Sequence, residues 1–328
     1  MRTRTVLAAA AGLAAVGIGR RVTALTRVSP ELRRPFVLLP LSVNRVTLRL
    51  MRASMPPPPL PSDVLLTERR VPGSDSAKVF VFDPVDRTSD AALLWIHGGG
   101  FVGGEAAMDQ ALCARFASEL GVLVVSVEYR LAPEHPFPEP LDDCVAALRW
   151  LHGEAAALGV DPTRIAVGGA SAGGGLAAAT VQRAHDEDVP VAFQLLVYPM
   201  LDDRTVLAEN REDRGRFVWT PASNRYGWSS YLGHAPGEAE SRPYAAPGRR
   251  TDLAGLPPAW IGVGELDLFF EEDVEYVRRL EAAGVRATFV GVPGMYHGAD
   301  GIAAKAPSMQ RFRDGMVEAL RKGLAIPA

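Results

Sequence analysis

The chain has 328 residues, a formal net charge of −3 and a pI near 6.1. Hydrophobic residues at 48% and charged residues at 22% exclude a disordered chain, and the length allows a large core. The absence of any run of about 18 strongly apolar residues excludes a multi-span membrane protein, and two cysteines, Cys113 and Cys144, exclude a disulfide-rich scaffold or a cysteine-only zinc site. Both cysteines are expected to be buried free thiols.

Residues 1–27 come first in chain order. They open on Met1-Arg-Thr-Arg, continue through an apolar stretch at 5–19, and reach Arg20-Arg21. That is the charged start and short apolar middle of a secretory signal or anchor. A helix over the apolar stretch would span about 22 Å, short for a membrane crossing. An amphipathic helix lying on a surface is the competing reading. Residues 1–52 carry ten arginines against one acid, Glu31, a balance of +9 that leaves −12 for the rest. A basic arm on an acidic body points to contact with an anionic membrane surface and not to nucleic acid. It favours membrane association or export over a cytoplasmic location. Residues 28–62 read as an N-terminal cap segment that ends in a stiff linker, Pro56 to Pro59 with Pro61.

Residues 63–328 read as one domain, with an insertion near 205–245. Strands are expected at 64–70, 78–82, 92–97, 122–129, 164–168, 193–198, 260–264 and 288–292. Helices are expected at 106–120, 141–158, 171–185, 271–283 and 308–324. Several strands, such as Val122-Leu-Val-Val-Ser-Val, are almost wholly apolar. A sheet covered on both faces requires this. The alternation of strands and helices predicts an α/β fold with a mostly parallel eight-stranded sheet.

After the third strand comes His97-Gly98-Gly99-Gly100-Phe101. Successive glycines let backbone N–H groups face a cavity without side chains in the way. Gly98 and Gly99 are candidate oxyanion donors, and His97 reads as an anchor of the loop. The same stretch also fits a dinucleotide-binding fingerprint, Gly98-x-Gly100-x-x-Gly103, with Glu128 closing the next strand; its strand does not open the domain, and the serine, acid and histidine further along the chain are a set that hydride transfer does not need, so the oxyanion reading is preferred. Arg130, Glu134 and His135 read as a structural hydrogen-bonded loop.

After the fifth strand comes Gly169-Ala-Ser171-Ala-Gly173, directly before an alanine-rich helix. This is the context of a nucleophile elbow, with the Ala172 N–H at the helix start as a third oxyanion donor. A serine nucleophile needs a histidine base and a carboxylate that orients it. Beyond the helix that follows the serine there are two histidines, His234 and His297. His297 lies just past the last strand, where such sheets place their sites; His234 reads as a surface loop residue. Asp267 ends the preceding strand and is the preferred acid, with Asp202, Asp203 and Glu265 as competitors. Phe217, Trp219, Tyr226, Trp228 and Tyr231 crowd the insertion and either line an acyl pocket or pack the cap onto the core.

Taken together, these motifs resemble the hormone-sensitive-lipase-like, or family IV, serine esterases. The resemblance rests on 97–101, on Tyr129-Arg-Leu-Ala-Pro-Glu134-His-Pro-Phe-Pro138, on 169–174, on Tyr198-Pro-Met-Leu-Asp202-Asp203, on Leu256-Pro-Pro-Ala-Trp260, on Gly264-Glu-Leu-Asp267 and on Tyr296-His297-Gly298. It implies an α/β-hydrolase catalytic domain over 63–328 with a helical cap from residues 28–62 and the insertion near 205–245, Ser171 as nucleophile, His297 as base and Asp267 as its partner. It also implies an oxyanion hole of Gly98, Gly99 and Ala172, and hydrolysis of short- to medium-chain carboxylic esters without metal or organic cofactor. Ala170 departs from the pattern, which has an acid there. An amide or N-acetyl deacylase, and a ligand-binding protein on a retired hydrolase scaffold, are the alternatives. The sequence leaves the oligomeric state open; a dimer is compatible with it.

Overall fold

The computed structural model describes residues 21–39, 42–52, 59–72, 77–209 and 213–327. The signal-like stretch at 1–20 and Pro56 to Pro58 of the linker lie outside the described residues.

The strands are β1 Val64–Arg70, β2 Lys78–Pro84, β3 Ala92–Ile96, β4 Leu123–Glu128, β5 Ile165–Ala170, β6 Phe193–Val197, β7 Ala259–Gly264 and β8 Ala287–Val292. They form one sheet in the order β1-β2-β4-β3-β5-β6-β7-β8. β2 pairs antiparallel with β1 and β4, and every other pairing is parallel. The long helices are α1 Gln110–Leu120, α2 Glu139–Gly153, α3 Ala172–Asp186, α4 Pro221–Leu232, α5 Phe270–Ala282 and α6 Pro307–Gly323.

The apolar strands have a simple reason. Side chains alternate across a strand, and both faces are covered. Leu94 and Ile96 of β3 join one core with α2, α3 and α5, while Leu93 and Trp95 join a second core with α1 and α6. Cys113 and Cys144 are buried free thiols, one in each core. Two expected helices differ in detail. The first opens as a 3-10 turn, Ala106–Asp109, before α1. The second breaks at Glu154 into α2 and a short turn, Ala155–Leu158.

The insertion between β6 and β7 contains α4, which the periodicity does not predict. Its ends carry ordinary signals: Thr220 Oγ1 accepts the Ser223 N–H, Pro221 stands at the first turn, and Gly233 closes it with φ 78°. Its buried face is Ser223, Asn224, Gly227, Trp228, Tyr231 and Leu232. That stripe has helical spacing, yet three of its six residues are not hydrophobic.

The N-terminal segment wraps the carboxyl end of the sheet. The Ser29 N–H donates to Gly294 O (3.2 Å), and the Tyr296 hydroxyl donates to Leu32 O (3.0 Å). Further on, the Val43 N–H donates to Ser223 Oγ at the start of α4 (2.9 Å). Arg52 donates to Val102 O (2.7 Å) and Ala132 O (2.8 Å) while pairing with both oxygens of Glu134.

Candidate active site

β5 turns into α3 at Ser171, whose φ of 58° and ψ of −122° lie outside the usual regions for a side-chain-bearing residue. Neighbours hold it there: its N–H donates to Val197 O and its carbonyl accepts from Met200, both at 2.9 Å. The flanking glycines are required by close approach. A Cβ on Gly169 would stand 2.3 Å from Gly173 O, and one on Gly173 would stand 2.1 Å from Ile96 O. α3 therefore packs against β3 and β5 more closely than alanine allows.

β7 and β8 are parallel neighbours, so the loops beyond them lie side by side. The loop after β7 carries Asp267 and the loop after β8 carries His297. The Leu266 N–H donates to Met295 O (3.0 Å) and ties the loops together. His297 Nε2 is 2.9 Å from Ser171 Oγ, and His297 Nδ1 is 2.8 Å from Asp267 Oδ2. Asp267 is fully buried, and its Oδ1 accepts the Phe269 N–H (3.1 Å). Tyr198 and Phe269 present ring contacts to the imidazole at 4.8 and 5.3 Å. The Tyr198 hydroxyl donates to Asp300 Oδ1 (2.8 Å), and Asp300 also meets Arg313.

The glycine loop lies against the elbow. A Cβ on Gly98 would stand 3.4 Å from Ser171 Cβ, and Gly99 has φ 129° with Gly103 O closing on it. The amides of Gly98, Gly99 and Ala172 donate to no group among the described residues. The loop is braced from three directions. Gly227 of α4 packs on Gly100 O, Phe101 stacks on Tyr231 at 4.1 Å, and Arg52 holds Val102. Glu128 accepts the Ala106 N–H (2.7 Å), and Met51 packs on Gly103. These contacts agree with setting the dinucleotide reading aside: Glu128 is engaged with the chain, and Gly103 lies under the Met51 side chain.

His97 is an anchor. Its Nδ1–H donates to Gly98 O (2.8 Å), its carbonyl accepts the Tyr129 hydroxyl (2.9 Å), and its ring stacks on Tyr129. Burial holds the imidazole down to about 4, whereas an unfolded histidine titrates near about 6.5. The unfolded chain thus takes up a proton that the folded protein refuses. The resulting stabilisation is complete above about 6.5 and is lost as pH falls toward about 4, a loss of about 3 kcal/mol. Asp109, pushed up to about 6 by burial, acts oppositely in this window. Urea unfolding at pH 7 and pH 4 should therefore show wild type losing about 3 kcal/mol more than His97→Asn; equal losses would contradict this.

The competing residues are engaged elsewhere. Asp203 is buried against Arg249, and Asp202 accepts the Arg204 N–H. Glu265 is exposed. His234 lies beside Glu240 and Arg242. Arg130 pairs with Asp143 and Glu139, and His135 with Glu139. The aromatics of the insertion divide between the two readings. Trp228 and Tyr231 pack on Phe101, and Phe217 packs on Tyr296. Tyr226 packs against the core, and Trp219 sits over the site, against Gly100 and with its ring 6.3 Å from that of His297.

Three supports escape the sequence reading: Tyr198, Arg52 and Glu272. Glu272, on α5, is half-buried and accepts from Leu201 N–H (2.7 Å) and from the Thr205 hydroxyl. It holds the loop whose Met200 N–H meets Ser171. Burial pushes its carboxyl well above the usual range. The acidic run 271–273 looks like a solvated helix face; only its tertiary neighbours mark Glu272.

A model of a family with the alpha/beta hydrolase fold matches residues 93–300. The chain belongs to the hormone-sensitive-lipase-like α/β-hydrolases. Among the members of this hydrolase family, it is 38% identical over 242 residues to esterase LipI of Mycobacterium tuberculosis, covering 72% of this chain and 74% of that one. It is 35% identical over 287 residues to carboxylesterase NlhH of the same organism, covering 84% and 88%. The solved structure of a bacterial heroin esterase is 40% identical, with a TM-score of 0.84 over 92% of this chain and 99% of that one. In this family member the elbow position before the serine is Ala170, with its carbonyl beside Gly98.

Proposed function

We propose that this protein is a serine carboxylesterase that hydrolyses short- to medium-chain carboxylic esters through an acyl-enzyme on Ser171. One observation carries the reading: Ser171 Oγ is hydrogen-bonded to a histidine whose other nitrogen meets a buried carboxylate. The esterase names of its relatives support it.

In this mechanism His297 Nε2 takes the Ser171 proton as Oγ attacks the ester carbonyl. Asp267 holds Nδ1–H and stabilises the imidazolium that forms. The N–H groups of Gly98, Gly99 and Ala172 stabilise the negative oxygen; losing one such donor typically costs about 3–4 kcal/mol. The alcohol leaves with the proton from His297. Water then attacks the acyl-enzyme by the same route in reverse.

Labelling with a fluorophosphonate, followed by peptide mass spectrometry, tests the assignment. A stoichiometric adduct on Ser171 is expected. It should be lost in His297→Ala and kept in His234→Ala. No adduct on folded protein would sink the reading. Turnover of an ester against its isosteric amide separates esterase from deacylase.

Trp219 is the side chain placed to limit the acyl group. Its removal should open space above Gly100 beside the histidine. Trp219→Ala is expected to raise the kcat/KM ratio of an octanoate ester over an acetate ester by about tenfold, within the range one or two methylenes supply in an apolar pocket. An unchanged ratio would remove Trp219 from substrate selection.

A further inference from the structure

The described parts of residues 21–52 border three loops of the site. Ser29 and Leu32 touch the loop before His297, Val43 holds the start of α4, and Arg52 holds the glycine loop. The outward side of this segment has an unusual composition. Between residues 21 and 52 there are seven arginines and a single acid, Glu31.

Five of these arginines, Arg21, Arg33, Arg34, Arg45 and Arg49, meet no carboxylate among the described residues. Arg21, Arg33 and Arg34 donate only to backbone carbonyls. Elsewhere, arginines such as Arg130, Arg249 and Arg250 are neutralised by acids. Interleaved with the unneutralised charges are exposed apolar side chains: Val22 at 50%, Phe36 at 46%, Leu39 at 54% and Val46 at 87%.

We propose that this side of residues 21–52 is a docking surface for a bilayer containing anionic phospholipid. Such an interface satisfies both features at once. Apolar side chains enter the boundary between headgroups and acyl chains, and guanidinium groups meet lipid phosphates. Nucleic acid would satisfy the arginines but offers nothing to Val22, Phe36, Leu39 and Val46. The contact is with the surface, since among the described residues no helix is long and apolar enough to cross a membrane. The segment lies beside the site loops, so docking brings the site to the lipid interface.

The test is flotation of the full-length protein with vesicles. One set is phosphatidylcholine alone; the other is equal parts phosphatidylcholine and phosphatidylglycerol. Binding to the anionic vesicles is expected, with release at high salt. Each basic residue near such a surface strengthens binding about fivefold, so Arg45→Gln with Arg49→Gln should weaken it about 25-fold. Phe36→Ser with Leu39→Ser should weaken it further. Hydrolysis of a water-soluble acetate ester should stay at the wild-type rate in both double variants and in the quadruple variant, which shows that the fold is intact. Equal binding to both vesicle sets overturns the proposal. So does wild-type binding by the variants, or binding to a DNA duplex in place of vesicles. Flotation requires no turnover, so its failure is separable from failure of the esterase reading.

Discussion

Ser171→Ala is expected to lower kcat by about 10⁴–10⁶ with the fold preserved. Removing Oγ deletes the atom that forms the acyl bond. The histidine is then left beside a methyl group with no proton to take. What survives is the oxyanion site and substrate binding, which by themselves give only a small part of the rate. The backbone should not move, because the Ser171 N–H and carbonyl remain bonded to Val197 and Met200. Circular dichroism and the unfolding midpoint should therefore match wild type. KM for a p-nitrophenyl ester should change little. Turnover within tenfold of wild type would refute the nucleophile.

The second large effect is at the carboxylate. Asp267 uses both oxygens: Oδ2 faces His297 Nδ1, and Oδ1 accepts the Phe269 N–H. Asparagine has one acceptor and one donor. If its oxygen keeps the Phe269 N–H, its amino group faces Nδ1. Nδ1 must then accept, which puts the imidazole proton on Nε2. The nitrogen that should take the serine proton already carries one. Asp267→Asn is thus expected to lower kcat by about 10⁴ with little loss of stability, the wrong tautomer being enough. Glu265→Gln, on an exposed neighbour, is expected to leave kcat unchanged. A reversal of these two outcomes would reassign the orienting acid.

The contrast between α3 and α4 shows which elements a sequence displays. α3 follows an apolar strand and a glycine-flanked serine, and each local signal agrees with the fold. α4 has a clear cap at Thr220 and a clear stop at Gly233. Yet its buried stripe includes Ser223, Asn224 and Gly227, because it packs on backbone at Gly100 and on Val43, not on an apolar sheet. Hydrophobic periodicity registers burial against apolar surface, so a helix docked on a polar loop escapes it.

The sequence by itself determined the class of fold and narrowed the candidate reacting residues to a few. Apolar strands need a sheet covered on both faces, and a serine on a strand-to-helix turn needs glycine on either side of it. A histidine and an acid past the ends of two late strands were candidates because such sheets gather their sites there. Asp267 is already preferred over Asp202, Asp203 and Glu265, its strand coming just before the one that delivers His297; the tertiary structure adds that these two strands are also neighbours in the sheet, so their loops meet. For the glycine loop it adds the engagement of Glu128 with Ala106 to a reading that the later serine, acid and histidine already favour. Arg52, Tyr198 and Glu272 became visible only there. Each supports the site through partners far along the chain, and contacts of that kind leave no local pattern for a sequence to display.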